Sequence, residues 1–227
     1  MAVAKRDRTR NQLLIAAQTL ALEGGSGALS VNNLSEKSEL ALGTFYNYYR
    51  SREDVMLDIC NLLVSACRKD VEAATSGMDE PVEVVATSLT QTLHTALPGS
   101  DIGRLMFETN LSMEPFMLGV RRFFRRDLEG GIAQGVFRVK APDAIVSMVS
   151  GSCLGVMQDV YAGRLALEMI PEVTESILLQ LGVAPELAHK HAHAPVPLQP
   201  PRQLPLKAID LLPPLGPAAK STALKGH

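Results

Sequence analysis

Leu34-Ser35-Glu36-Lys37-Ser38-Glu39-Leu40-Ala41-Leu42-Gly43-Thr44-Phe45-Tyr46-Asn47-Tyr48-Tyr49-Arg50-Ser51-Arg52-Glu53-Asp54-Val55 is the stretch that decides how this 227-residue chain is read. It ends one short predicted helix, which starts at Ser30 as N-cap and runs to Lys37 or Ser38, and contains a second from Leu42 to Tyr49. About three residues join the two. Before them, Leu13, Leu14, Ala17, Leu20 and Ala21 recur at helical spacing, predicting an amphipathic helix over Arg6 to Glu23 that the Gly24-Gly25-Ser26-Gly27 cluster ends. A long helix followed by two short ones is the layout of a helix-turn-helix unit, which offers its last helix to the major groove of DNA. After it, Ser51 with Asp54 three residues on has the spacing of a capping box. It opens a fourth helix through Val55, Ile59 and Leu63 to about Ala74.

The residues narrow that layout. Leu34 to Val55 closely resembles the signature of the tetracycline-repressor (TetR) family, most specifically in Gly43-Thr44-Phe45-Tyr46-Asn47-Tyr48-Tyr49 and Ser51-Arg52-Glu53. Family members carry there glycine, threonine, an apolar residue, tyrosine, a variable residue and two aromatics, then a serine-lysine-glutamate helix start. The resemblance covers about residues 6–60. Three positions depart from it: Ser38-Glu39 stands where the family usually has alanine-glycine, Ala41 where a hydroxyl residue caps the recognition helix, and Arg52 where lysine is favoured.

Four of the ten aromatic residues, Phe45, Tyr46, Tyr48 and Tyr49, fall within five positions. Five consecutive residues circle a helix, so one face cannot bury them all. Phe45 and Tyr49 are assigned to the core, and Tyr46 and Tyr48 to DNA, where the resemblance places Tyr46 on the recognition helix. Thr44 and Asn47 are candidates for base or phosphate contact, since asparagine can pair with adenine and a threonine methyl can meet thymine; ordinary solvated helix surface is the alternative. Leu42 and Gly43 open the helix and let its backbone approach DNA. Ser30 and Arg52 stand at helix starts, where N–H groups favour an anion. Arg6, Arg8 and Arg10 read either as a groove-seeking arm or as a solvated charge run.

The remainder also reads as helical: 82–97 behind Pro81, 101–113, 115–134, 142–162 and 168–181, without sustained strand alternation or an internal repeat. The expected fold is therefore all-α, with a helix-turn-helix head over residues 1–52 and a helical ligand-binding and dimerisation domain over 53–183. From 184 to 227 nine of the fourteen prolines accumulate and apolar periodicity is lost, which predicts a disordered or polyproline-like tail. Met106, Phe107, Met113, Phe116 and Met117 are the candidate lining of an adaptable pocket, with core packing as the alternative. Gly151, Ser152, Gly155, Leu178, Leu179 and Leu181 are the candidate dimer bundle. On the helix from 115, Phe124 is placed inward between the solvated arginines 121, 122, 125 and 126.

Composition bounds the alternatives. The chain carries −2 overall, yet residues 1–52 hold seven basic and four acidic side chains, +3, while the rest holds 15 against 20, −5. The neutral total thus conceals a head suited to phosphate. No apolar run reaches the ~18–20 residues of a membrane span, and the charged start lacks the features of a signal peptide. Three unpatterned cysteines suggest a reducing compartment. His189-x-His191-x-His193, at alternate spacing in a proline-rich tail, offers a metal no fixed geometry, so no metal or cofactor is expected. No phosphate loop, HExxH or G-x-S-x-G points to an enzyme. The resemblance implies a cytoplasmic, dimeric repressor that grips a near-palindromic DNA operator and is released by a small-molecule effector. A helix-turn-helix protein without a ligand, or answering to a protein partner through its tail, is the alternative; an all-helical enzyme is the third reading.

Overall fold

The computed structural model describes residues 2–213, with side chains from residue 5, and among these it is all-α. The head comprises α1 (Ala2–Gly24), α2 (Val31–Lys37) and α3 (Leu42–Tyr46). The bundle behind it is built from α4 (Arg52–Ala74), α5 (Pro81–Leu93), α6 (Asp101–Phe107), α7 (Glu114–Ala133), α8 (Pro142–Tyr161) and α9 (Ile170–Gln180). Two further helices, α10 (Pro185–Ala192) and α11 (Ala208–Leu211), lie where disorder was expected. Helices α5, α7, α8, α9 and α10 each carry a proline in their first two positions, where its missing N–H has no helical partner and its fixed φ suits the start.

One continuous core joins head and bundle. On α1 the stripe Leu13, Leu14, Ala17 and Ala21 is buried against Leu29, Leu34 and Phe45, and the same cluster continues through Ile59, Leu62 and Leu63 of α4 into the bundle. Fully burying each such leucine or phenylalanine contributes on the order of 1.5–3 kcal/mol. Three helices are shorter than their periodicity suggests. After α3 the chain tightens, with Asn47 N–H bonded to Thr44 O and Tyr48 N–H to Phe45 O. His94 closes α5, its Nδ1 lying 2.7 Å from Thr90 O. Beyond α6, Asn110 takes a left-handed φ of 58°, which halts a helix and which asparagine tolerates.

Only some dimer candidates face outward. Gly151, Ser152, Gly155 and Leu179 are exposed, as is Met148 at 55%, whereas Leu178 and Leu181 are fully buried and belong to the core. Helix α8, 20 residues long, holds an 18-residue window of mean hydropathy 1.2 that is 33% buried, enough to cross a bilayer by length and composition only, as apolar core helices also are. It packs on α7 and α5 and leaves its small-residue face open.

The proline-rich segment differs most from expectation. Residues 194–213 run as an extended strap from the far side of the bundle back to the head. Gln199 N–H donates to Gln91 Oε1 (2.8 Å), and Arg202 grips both carboxylate oxygens of Asp70 at 2.6–2.9 Å. At Leu206 the strap reaches α1, where buried Gln18 gives its amide to Leu206 O (2.9 Å) and accepts Leu206 N–H (2.7 Å). Lys69 then donates to Asp210 O, and Leu206, Ala208 and Leu211 are buried. Prolines suit this path, because a strap on a helical surface has few backbone acceptors for its N–H groups and proline has none to satisfy. Residues 214–227 of the expected tail lie outside the described residues.

Candidate nucleic-acid interface and effector cleft

The turn of the helix-turn-helix is made without glycine. Glu39 adopts φ +55°, the left-handed conformation that an L-residue adopts at a cost of roughly 1–2 kcal/mol. Neighbouring bonds hold it: Gln12 Nε2 donates to Ser38 O (2.6 Å), and Leu40 N–H bonds to Ser35 O (3.0 Å). The Glu39 side chain is exposed. Ala41 occupies the N-cap of α3 and brings no side-chain bond, so the first N–H groups of that helix are not capped by a hydroxyl.

The two aromatics assigned to the core are in it, and the two assigned to DNA differ in exposure. Phe45 is fully buried and Tyr49 nearly so, while Tyr46 is 56% exposed and stands edge-on to Phe45 at 5.4 Å. Leu42, Gly43 and Asn47 are exposed beside Tyr46, and Thr44 and Tyr48 are half-buried, so α3 offers one accessible face. The Arg6 guanidinium lies 5.9 Å from the Tyr48 ring centre, bringing the basic start of the chain to this face. Ser30 acts as the cap of α2, accepting Asn33 N–H at 3.1 Å. Arg52, at the start of α4, bonds Glu53 at 2.8 Å. That bond and one from Ser51 bring the Glu53 carboxyl down to about 2. Glu53 therefore stays ionised, and keeps Arg52 paired, until the pH falls toward that value. The capping box at Ser51 does not form: its side chain caps nothing, and Asp54 instead accepts Arg50 N–H at 2.9 Å.

Arg10 is a joint between head and bundle and not a reaching arm. Its guanidinium meets Asp58 Oδ2 on α4 at 2.9–3.0 Å, and Tyr49 donates its hydroxyl to the same oxygen at 2.9 Å. Burial opposes the Arg10 charge, but Asp58 outweighs it and raises the Arg10 pKa. The Tyr49 phenol is pushed up by burial and by Asp58. Two more joints lie at the other end of α1: Arg104 of α6 donates to Leu22 O (2.7 Å), and Ser26 N–H to Thr109 O (2.6 Å). Gly25 makes the last possible, with φ +67° and a Cβ position 3.4 Å from Thr109 O.

The same α4 that carries Asp58 forms a wall of a small cleft of about 60 Å³ between α4, α5, α7 and α8. Val71, Val85, Leu89, Phe123, Phe124 and Val149 supply an apolar lining, and Cys67, Ser88, Thr92, Ser150 and Cys153 its polar points. Ser150 and Thr92 bond carbonyls of their own helices, while the buried Ser88 hydroxyl has no partner among the described residues. Burial pushes the Cys153 thiol up to about 12 and raises Cys67 as well, so both stay protonated and weakly nucleophilic. The five residues expected to line a pocket are elsewhere. Met106 and Phe116 are core, and Phe107, Met113 and Met117 are partly buried; none borders this cleft. Phe124 does point inward as expected, whereas Arg125 pairs with Asp143 at 2.7 Å and Arg126 with Asp127 at 2.9 Å. The cleft is hard to read in sequence because its lining is ordinary core residues spread over four helices.

The histidine triplet also changes meaning, since α10 replaces a tail. Its alternate spacing is really i,i+4 for His189 and His193, which share one helix face. Both meet Glu175 of α9, whose carboxyl is lowered first by the His189 bond and then by His193.

A sequence profile described as the tetracyclin repressor-like C-terminal domain matches residues 80–194, half of the chain. The chain belongs to the tetracycline-repressor-like family. It is thus a transcription regulator by kinship. Solved structures show the same fold. RolR in complex with resorcinol is 24% identical, covering 86% of this chain and 97% of its own, with a TM-score of 0.68. A putative tetR family regulator from Shewanella sp. PV-4 is 13% identical over 77% and 96% of the two chains, TM-score 0.61. NalD, the secondary repressor of a multidrug efflux pump in Pseudomonas aeruginosa, is 14% identical over 77% and 97%, TM-score 0.57. No curated protein matches the chain in sequence.

Proposed function

We propose that this regulator is a dimeric repressor that grips a near-palindromic operator and is released when a small molecule enters the cleft. Residues 1–52 are its DNA-binding head and 53–183 its effector and dimerisation domain. In the head, the exposed face of α3 meets the groove through Leu42, Gly43, Thr44, Tyr46 and Asn47, while Tyr48, Ser30 and Arg52 flank it at the phosphates. The open face of α8, with Leu179 of α9, meets a second copy. Such a dimer spaces its two recognition helices by about one helical turn, ~34–36 Å. Working beside DNA places it in the cytoplasm.

The observation that carries this reading is that one rigid helix serves both tasks. Asp58 holds the head and Cys67, nine residues on, borders the cleft, about 13 Å along α4. A ligand that displaces the cleft end of α4 also displaces Arg10 and Tyr49. A largely apolar molecule with at least one hydrogen-bonding group fits the lining, its polar group answering the Ser88 hydroxyl. RolR bound to resorcinol shows that the fold accommodates such a molecule in a relative.

Binding of the full-length chain to DNA from upstream of its own gene, followed by fluorescence anisotropy at physiological salt, tests the reading. Affinity well above that for random DNA is expected, and small hydroxylated aromatics should lower it. Equal affinity for both DNAs would overturn it. Specific binding that no cleft-sized ligand alters, and that Ser88→Val leaves untouched, would favour the regulator without an effector.

A further inference from the structure

Outside the head and the cleft, nitrogen and oxygen ligands converge at one place on the bundle surface. His189 Nδ1 lies 2.9 Å and His193 Nε2 3.0 Å from the same atom, Glu175 Oε2. The two rings stack at 4.3 Å, and one ligand atom from each of the three residues lies within 4.8 Å of the others. We propose that Glu175, His189 and His193 form a binding site for a divalent transition ion of the zinc type.

The chemistry follows from the donor set. Two imidazoles and one carboxylate are a recurrent three-ligand set for Zn²⁺ with an open fourth position, and suit neighbouring borderline ions as well. A tetrahedral ion with bonds of ~2.0–2.1 Å separates its ligand atoms by about 3.4 Å. The two histidine–glutamate gaps need to open by only a few tenths of an ångström for the ion to take the place of the shared protons. Two histidines four apart on a helix rise from one face, and α9 holds the carboxylate opposite them, so the backbone already sets the spacing. Entry is direct, because His189 is exposed. His191 points elsewhere, 3.9 Å from Glu80, and takes no part. A bound ion would pin α10 to α9, and α10 is the root from which the strap leaves the bundle.

Titrating Co²⁺ into the tag-free full-length chain tests this, because four- or five-coordinate Co²⁺ absorbs visibly. One saturable equivalent that Zn²⁺ displaces is expected. His189→Gln with His193→Gln should weaken binding about 100-fold and Glu175→Gln about 10-fold, with His191→Gln unchanged. Zn²⁺ at about 100 times its Kd should also raise the Tm of the unaltered chain by ~5 °C, and not that of the double variant. Circular dichroism checks that each variant is folded; the exposed positions tolerate glutamine. No saturable signal in the folded wild-type chain, or a signal that survives the double substitution, overturns the site.

Discussion

The recognition helix and the proline-rich strap both lack side-chain caps on their helices, yet they are held in different ways. Helix α3 and the turn behind it keep their place through their own sequence: Phe45 and Tyr49 go in, and Tyr46 stays out. The strap has no such pattern. Its buried residues, Leu206, Ala208 and Leu211, follow no steady period, and its order comes from distant partners on α1, α4 and α5. The lesson is that a segment can be ordered by what it meets as firmly as by what it is. It also means that the head is clamped from two sides, by α4 through Asp58 and by the strap through Gln18.

The largest test removes one side of that comparison. Deleting residues 198–227 exposes apolar surface and strands the Gln18 amide and Asp70, which together should lower stability by about 3–5 kcal/mol. In thermal unfolding this is a Tm lower by ~10 °C. An unchanged Tm would show the strap to be merely laid on the surface. Next, Asp58→Ala takes the carboxylate from Arg10, which keeps its bond to Pro213 O, and the acceptor from the Tyr49 hydroxyl at the other clamp. Because the pair is partly solvated, about 2 kcal/mol is expected in urea unfolding, less than a fully buried pair would lose. DNA affinity should fall with it, since the α3 end is no longer tied to α4.

A third substitution addresses the exposed face alone. Tyr46→Ala should reduce operator affinity about 10-fold, the size of one well-made contact, with stability within ±0.5 kcal/mol because the ring is outside. Equal loss on random DNA would mark it as a phosphate contact and not a base contact. The smallest effect is at the turn. Glu39→Gly relieves the left-handed strain but adds freedom to the unfolded chain, so a net gain of about 0.5 kcal/mol is expected. A loss would mean that the Glu39 side chain has a role beyond its backbone.

Much of this protein was legible in its residues. The helical class, the helix-turn-helix head, the inward and outward aromatics and the proline-marked starts of α5, α7 and α8 all rest on neighbours within a few positions, and local periodicity and capping are local physics. Where reasoning from sequence failed, the deciding partner was remote. Arg10 read as an arm or a solvated charge because Asp58 is 48 residues away. The methionine- and phenylalanine-rich stretch from 106 to 117 read as a pocket or as core; Met106 and Phe116 are core and the other three are partly buried, while the cleft is assembled from α4, α5, α7 and α8. The alternate histidines read as geometry-free until α10 put two of them on one face.

What the sequence determined by itself is the identity of the elements and the surface that α3 presents, because helix period and side-chain polarity act through adjacent residues. What only the tertiary structure decided is the linkage between them: one helix joining cleft to head, a strap tying the bundle to the head, and three metal-capable side chains from two helices. Those depend on which faces pack together. Such contacts between residues tens to hundreds of positions apart leave no periodic trace along the chain.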